Sequence, residues 1–99
     1  MNDGLKEEVR DKIISVLSAL FPNAKIYLFG SRATGKYQRA SDIDIAIDAG
    51  AKLPIESIDE AKDVMKSLNI VYKVDVLDLY NISPDFRDSI LKNKVIWKN

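Results

Sequence analysis

The sequence predicts an α/β (α+β) fold, a small mixed β-sheet with helices packed on it. Segments with apolar residues at three- and four-residue steps alternate with short segments rich in Val, Ile and aromatic residues. About ten residues separate the first two strand-like segments, fewer than a parallel crossover needs, so these strands are expected to be antiparallel. The 21 or so residues before the third strand-like segment fit a helical crossover. We expect a single domain over residues 1–99.

The size and composition of the chain exclude several kinds of function. Its 99 residues include 15 basic and 15 acidic side chains, so the net charge that favours long duplex nucleic acid as a partner is missing. Cysteine and histidine are both absent, which excludes disulfides, thiolate catalysis, a Ser-His-Asp triad and the usual zinc sites. Neither a signal peptide nor a long apolar stretch is visible. We therefore expect a cytoplasmic protein with no membrane partner.

The first two elements are predicted to be an amphipathic helix and a buried strand. Asn2 or Asp3 is the expected N-cap of the helix, and Pro22 ends its pattern. The strand is KIYLF, residues 25–29, which is β-branched and aromatic and closes at Gly30. The apolar face of the helix consists of Leu5, Val9, Ile13, Val16, Leu17 and Leu20.

The middle of the chain is predicted to form strand, helix and strand. The segment SDIDIAID (41–48) alternates isoleucine with acidic residues, as a half-buried strand does. Residues 54–68 carry apolar side chains at helical spacing. The segment IVYKVDVLDLY (70–80) is rich in Val and Ile on both faces, which is typical of a central strand.

The last part of the chain is predicted to form a helix and a short extended segment. Ser83 and Pro84 match an N-cap followed by proline at the first helical position. This helix is expected to continue to about Asn93, and residues 94–98 to be extended. The residues that the helix is expected to bury are Phe86, Ile90 and Leu91.

Gly30 and Ser31 stand where a strand ends and a helical turn can begin. Glycine allows a ligand to approach the backbone closely, the free N–H groups of a helix start attract phosphate, and the Ser31 hydroxyl adds a donor. These features predict a phosphate-binding turn. The alternative is a simple turn with an N-cap, which this residue pair commonly forms.

Three aspartates form the candidate metal and catalytic site. Asp42 and Asp44 are two residues apart, so on a strand both carboxylates leave the same face and repel each other unless a cation lies between them. Mg2+ suits that position because it prefers oxygen ligands and often combines one or two carboxylates with substrate phosphates. Asp75 lies between two valines, and a neighbouring strand can bring it beside the pair. Asp78, three residues further on, is expected to be structural, and a solvated acidic face is the alternative for Asp42 and Asp44.

Arg32 follows the predicted phosphate-binding turn directly. Its guanidinium could reach a β- or γ-phosphate, which would add it to the nucleotide-binding residues Gly30 and Ser31. A solvent-facing arginine is the equally weighted alternative. The sequence leaves both possibilities open.

The chain resembles a known family at these positions. Gly30-Ser31, the ten intervening residues and Asp42-Ile43-Asp44, with Asp75 in a later strand, are similar to the signature of the DNA polymerase beta nucleotidyltransferase superfamily. The segments FGSRATG and SDIDIAI resemble those of its minimal nucleotidyltransferase branch in particular. The resemblance covers nearly the whole chain and implies a polymerase-beta-like nucleotidyltransferase fold.

The resemblance also implies an activity and a role for each site residue. The activity is transfer of a nucleoside monophosphate from a nucleotide triphosphate, such as ATP, to an acceptor hydroxyl with two Mg2+ ions. Gly30 and Ser31 would hold the triphosphate, and Asp42 and Asp44 would bind both ions. Asp75 would bind the catalytic ion and help to deprotonate the acceptor.

Proteins similar to this one are commonly antitoxins paired with a HEPN-domain ribonuclease toxin. They neutralise the toxin by attaching AMP to one of its tyrosines and by forming a complex with it. The resemblance therefore implies a protein adenylyltransferase antitoxin whose partner is a HEPN toxin. Transfer to a small molecule or a nucleic-acid end is one alternative, and a non-catalytic antitoxin that acts by complex formation is another.

Overall fold

The computed structural model describes residues 3–99, in which helices alternate with the strands of one sheet. The elements in chain order are α1 (Glu7–Leu20), β1 (Lys25–Phe29), α2 (Ser31–Thr34), β2 (Ile43–Asp48), α3 (Ile55–Ser67), β3 (Val74–Asp78), α4 (Pro84–Asn93) and β4 (Val95–Lys98). The strand order is β3-β2-β1-β4. β1 pairs antiparallel with β2 and β4, whereas β2 and β3 are parallel and are connected through α3. The predicted mixed sheet and both predicted strand pairings are confirmed.

The two faces of the sheet are covered differently. The larger apolar cluster includes Ile13 and Leu17 of α1, Ile45 of β2 and Met65 of α3, so α1 and α3 cover one face. The smaller cluster joins Tyr27 and Ala46 of the sheet to Ile90 of α4 on the other face. Side chains alternate between the faces along a strand, so the even-numbered residues of β2 lie on the face that α4 covers in part. Within residues 3–99, no helix is long and apolar enough to cross a membrane.

The first helix begins later than its apolar pattern predicts. Its N-cap is Lys6, and no side chain caps it. Asp3 Oδ1 instead accepts a hydrogen bond from the Leu5 amide at 3.0 Å, which makes a local turn before the helix. The N-cap prediction for Asp3 is therefore wrong, and Asn2 lies outside the described residues.

Two strand predictions also need correction. β2 begins at Ile43, whose amide donates to Lys73 O at 2.9 Å, so Asp42 immediately precedes the strand. β3 spans only Val74–Asp78 and lies at an edge of the sheet, although its composition predicted a central strand. Its apolar residues on one face pack against the larger cluster, and Leu77 on the other packs against the smaller one. Burial of both faces of a strand therefore does not require a neighbouring strand on each side.

The last helix begins as predicted but does not bury all the predicted residues. Ser83 Oγ accepts a hydrogen bond from the Phe86 amide at 3.2 Å, and Pro84 occupies the first turn. Ile90 is buried at 3% exposure, whereas 43% of Phe86 is exposed. The prediction that Phe86 belongs to the core is wrong. Its ring makes an edge-to-face contact with Phe29, which packs against the smaller cluster.

Candidate functional site

Asp44 and Asp75 are direct neighbours across the parallel pair β2 and β3. Their Cα atoms are partners in the register of the two strands, so both side chains leave the same face of the sheet. Asp75 remains about half exposed, and the Lys73 ammonium lies 3.7 Å from its Oδ1. The crossover through α3 thus brings together two carboxylates that are far apart in the sequence.

Asp42, the residue just before β2, lies near this pair. Burial is the main cause that raises the pKa of Asp44 to about 6, and the negative charges of Asp75 and Asp42 raise it further. Lys73 opposes this shift. The three predicted carboxylates are therefore close enough for their charges to act on Asp44.

The carboxylates form an open set of oxygen donors. Among residues 3–99, no group of three or more Asp, Glu, His or Cys side chains is placed so that it could hold a metal ion by itself. Asp42 is exposed and Asp75 is about half exposed, so the set opens towards solvent. An ion bound here would need ligands from another molecule in addition to the protein.

The raised pKa of Asp44 gives a prediction about stability and pH. The folded protein binds the Asp44 proton more tightly than the unfolded chain does, so ionisation of Asp44 lowers the free energy of unfolding as pH rises through about 4 to 6. Asp44→Asn is therefore expected to be more stable than the wild type at pH 7.5 without divalent ions. This advantage should shrink steadily as pH falls towards 4. Urea denaturation of both proteins across this range measures it, and a difference that is constant with pH would contradict the assignment.

Gly30 lies between β1 and α2, in contact with the Asp44 carboxylate. Its φ of 76° and ψ of −157° belong to a region that is essentially restricted to glycine. A Cβ at this position would collide with Asp44 Oδ2 and lie 3.2 Å from Asp44 Cγ. The predicted phosphate-binding turn and the predicted metal ligand therefore touch, and the close approach depends on the missing side chain.

Gly30→Ala is expected to lower the free energy of unfolding by about 2–4 kcal/mol, because backbone strain adds to the collision with Asp44. Gly35→Ala is the matched control. Gly35 also has a positive φ, 79°, but a Cβ there meets nothing within 4 Å. This control should lose only about 1 kcal/mol. If chemical denaturation gave the same loss of unfolding free energy for Gly30→Ala and Gly35→Ala, the collision with Asp44 would not contribute to the cost of Gly30→Ala.

Ser31 and Arg32 follow Gly30 in the single turn α2. Ser31 opens the turn and is partly exposed, so its amide and hydroxyl can face a ligand. Arg32 is different, because only 1% of it is exposed. The structure contradicts a solvent-facing Arg32, and it gives no support to the predicted phosphate contact.

The Arg32 guanidinium connects three segments of backbone. Nη1 donates to Asp3 O at 2.8 Å, Nε to Ser41 O at 3.1 Å and Nη2 to Arg39 O at 3.2 Å. Its Cζ also lies 5.0 Å from the Tyr37 ring centroid and 4.6 Å from that of Tyr72. The hydrogen bonds to Arg39 and Ser41 hold the backbone immediately before Asp42. Sequence spacing gave no sign of these contacts, because Asp3 and Tyr72 lie far from Arg32 in the chain.

Asp78 has the structural role that its position predicted. It is 4% exposed and accepts hydrogen bonds from the Leu53 amide at 2.8 Å and the Tyr80 amide at 2.9 Å. These contacts anchor the loop before α3 to the end of β3. Asp78 also faces away from Asp75, since the two residues are three positions apart on a strand.

Comparison with known proteins identifies the family of this chain. Residues 11–99 match the family described as "Polymerase beta, Nucleotidyltransferase". The chain is 33% identical over 92 residues to "Probable protein adenylyltransferase MntA" of Haemophilus influenzae, a match that covers 93% of this chain and 81% of the relative.

Two solved structures share the fold. A chain in a crystal structure of a toxin–antitoxin with AMP-PNP superposes with a TM-score of 0.75 at 31% identity, over 89% of this chain and 71% of the other. A chain in the complex of a tri-AMPylated Shewanella oneidensis HEPN toxin with its MNT antitoxin gives a TM-score of 0.62 at 24% identity, over 94% and 71%. At that identity the second match shows the fold alone. The chain therefore belongs to the polymerase beta nucleotidyltransferase family.

Proposed function

We propose that this protein transfers AMP from ATP to a tyrosine hydroxyl of a partner HEPN toxin and thereby neutralises it. The observation that carries the proposal is the contact of Gly30 with the carboxylate of Asp44, whose register partner is Asp75. A turn suited to phosphate thus adjoins a cluster of carboxylates. In this proposal both proteins meet in the cytoplasm, where ATP is available.

Gly30 and Ser31 are proposed to bind the triphosphate. The absence of a side chain at Gly30 leaves the backbone open to a ligand, and Ser31 offers its amide and hydroxyl next to it. Arg32 does not belong to this set in our proposal. Its buried guanidinium is a positioning group that holds Ser41, and so the residue after it, in place.

The carboxylates of Asp42, Asp44 and Asp75 are proposed to hold Mg2+. Resemblance to the family implies two ions at this position. The donor set fits, because all three side chains offer oxygen and their mutual repulsion at Asp44 would be relieved by a cation. The exposure of Asp42 and Asp75 also fits, since Mg2+ commonly completes its coordination with substrate phosphates and water. When bound, the ions stabilise the charge on the attacking and leaving oxygens of an in-line displacement.

The proposed reaction forms one bond and breaks one bond at the α-phosphorus of ATP. The acceptor oxygen bonds to that phosphorus while the bond to the oxygen bridging the α- and β-phosphates breaks, and pyrophosphate leaves. The proton of the acceptor hydroxyl passes to the Asp75 carboxylate, which is half exposed and accessible from outside. The main contribution of this chain is the positioning of phosphate and acceptor.

The choice of a protein acceptor rests on the relatives and on the openness of the site. The Haemophilus influenzae relative is named "Probable protein adenylyltransferase MntA", and a structural neighbour is a toxin–antitoxin crystallised with AMP-PNP. Asp42 is exposed at the rim of the carboxylate cluster. A segment of another protein can therefore reach the site without a domain having to open.

Labelled nucleotides test the proposal directly. The protein is mixed with its HEPN toxin, Mg2+ and ATP labelled at either the α- or the γ-phosphate. We expect label on the toxin from α-labelled ATP only, and chelation of divalent ions should abolish it. A toxin variant with phenylalanine in place of the modified tyrosine is the matched control and should remain unlabelled.

Each other outcome identifies a different function. Label only on a small hydroxylated compound or a nucleic-acid end would overturn the protein acceptor. Transfer from γ-labelled ATP would indicate a kinase. Neutralisation of the toxin without any label would show that the protein acts by complex formation.

A further inference from the structure

A cavity of about 240 Å3 lies between α4 and the turn that contains Gly30. One side is made by Phe29, Gly30 and Thr34. The other side is made by Phe86, Ser89 and Asn93, which share one face of α4 because they are spaced by three and four residues. Gly30 therefore belongs both to this cavity and to the turn in contact with Asp44.

Phe86 is an exposed apolar side chain at the edge of this cavity. It is 43% exposed, yet it is held by an edge-to-face contact with Phe29, with ring centroids 5.9 Å apart and ring planes at 78°. Phe29 is in turn the register partner of Asp44 on β1 and β2. A fixed aromatic ring, partly open to solvent, thus stands one strand away from the carboxylate cluster.

We propose that this cavity is the nucleobase subsite and that Phe86 is its stacking side chain. Every nucleobase has a π-face that stacks on an exposed aromatic ring. The cavity continues from the Gly30 turn, so a nucleotide with its phosphates at that turn can place its base against Phe86. The Ser89 hydroxyl and the Asn93 amide supply polar groups for the edge of the base.

The cavity has room for only one part of a nucleotide. Sites that enclose a whole drug-sized ligand measure roughly 300–1,000 Å3. The observed 240 Å3 is smaller, so a base fits while the ribose and phosphates remain outside. The Asn93 side chain is also oriented, because Nδ2 donates to Ser89 O at 3.2 Å. The subsite rests on the proposed function, since it requires a nucleotide at Gly30.

Comparison of two ligands separates base contacts from phosphate contacts. Isothermal titration calorimetry with Mg2+ measures binding of ATP and of inorganic tripolyphosphate to the full chain. Phe86→Ala is expected to bind ATP more weakly, on the order of tenfold, and to bind tripolyphosphate like the wild type. Phe86→Tyr keeps a ring and should retain ATP affinity. Ile96→Ala, which removes a 50% exposed apolar side chain on β4, is the control and should leave both affinities unchanged.

Four results would overturn the subsite. Equal ATP affinity of the wild type and Phe86→Ala would remove Phe86 from nucleotide binding and leave the proposed function intact. If Phe86→Ala lowered the affinities for ATP and tripolyphosphate equally, the substitution would be disturbing the turn at Gly30. No ATP binding by the wild type would overturn the subsite and the proposed function together. Phe86→Ala that binds ATP normally but loses the toxin would assign the cavity to the protein partner.

Discussion

Asp44→Asn is expected to reduce the rate of AMP transfer to the toxin by on the order of 1,000-fold while the protein remains folded. Asn keeps the size of the side chain but removes the negative charge at the centre of the carboxylate cluster. It also replaces a strong ligand for Mg2+ with a weak one. Single-turnover assays with α-labelled ATP measure the loss. The same substitution is expected to stabilise the protein at neutral pH, so unfolding cannot account for lost activity.

Asp48→Asn is the matched control for this prediction. Asp48 lies on the same strand and the same face as Asp44, but at the opposite end, where it pairs with Lys25. Its carboxylate accepts hydrogen bonds from Tyr27 Oη at 2.8 Å and the Gly50 amide at 3.0 Å, and Asn retains an acceptor for one of them. Activity close to the wild type is expected. If both variants lost activity equally, the assignment of the site to the Asp44 end of β2 would be wrong.

Arg32→Met is expected to lower the free energy of unfolding by about 3–5 kcal/mol, more than Gly30→Ala does. Methionine fills much of the volume but leaves the carbonyls of Asp3, Arg39 and Ser41 without their charged donor. A domain of this size typically has a stability of roughly 5–15 kcal/mol, so the variant should unfold at much lower urea concentration. The free energy of unfolding of Arg32→Lys should lie between those of the wild type and Arg32→Met, because one ammonium cannot reach all three carbonyls.

Arg87→Met provides the comparison for Arg32. The Arg87 guanidinium also lies over an aromatic ring, 5.2 Å from the centroid of Tyr80, but it is only partly buried. Loss of this contact should cost about 0.5–1 kcal/mol. A similarly small loss for Arg32→Met would mean that the three carbonyls find other donors, and Arg32 would then not be the residue that holds the segment before Asp42.

The sequence predicted the parts of the fold that depend on local pattern. The period of apolar residues located all three long helices, and the lengths of the connections predicted the antiparallel and parallel strand pairs. The position of β3 was wrong because apolar composition reports burial, and helices can bury a strand that has only one neighbour. The start of α1 was wrong because Asp3 makes its turn before the helix instead of capping it.

The sequence predicted that three carboxylates would lie near one another, and the structure brings Asp44 beside Asp75 with Asp42 close by, whereas their catalytic roles stay a prediction. Asp42 and Asp44 are neighbours in sequence, and the parallel crossover made Asp75 their natural third member. The environments of Arg32 and Phe86 could not be predicted in this way. Tyr37 and Tyr72 enclose Arg32 only after the sheet has formed, and the exposure of Phe86 depends on the angle at which α4 crosses Phe29.

The order of the strands along the chain determines when the carboxylate cluster can first exist. β1 and β2 adjoin in sequence, so they can pair as soon as they leave the ribosome. Asp44 meets Asp75 only after α3 has been synthesised and has packed across the sheet, and β1 gains its second neighbour only when Val95 reaches Leu28. Pairings this distant in sequence slow folding. A nascent chain can therefore bring Gly30 against Asp44 well before Asp75 joins them, and the carboxylate cluster is complete only after β3 has paired with β2.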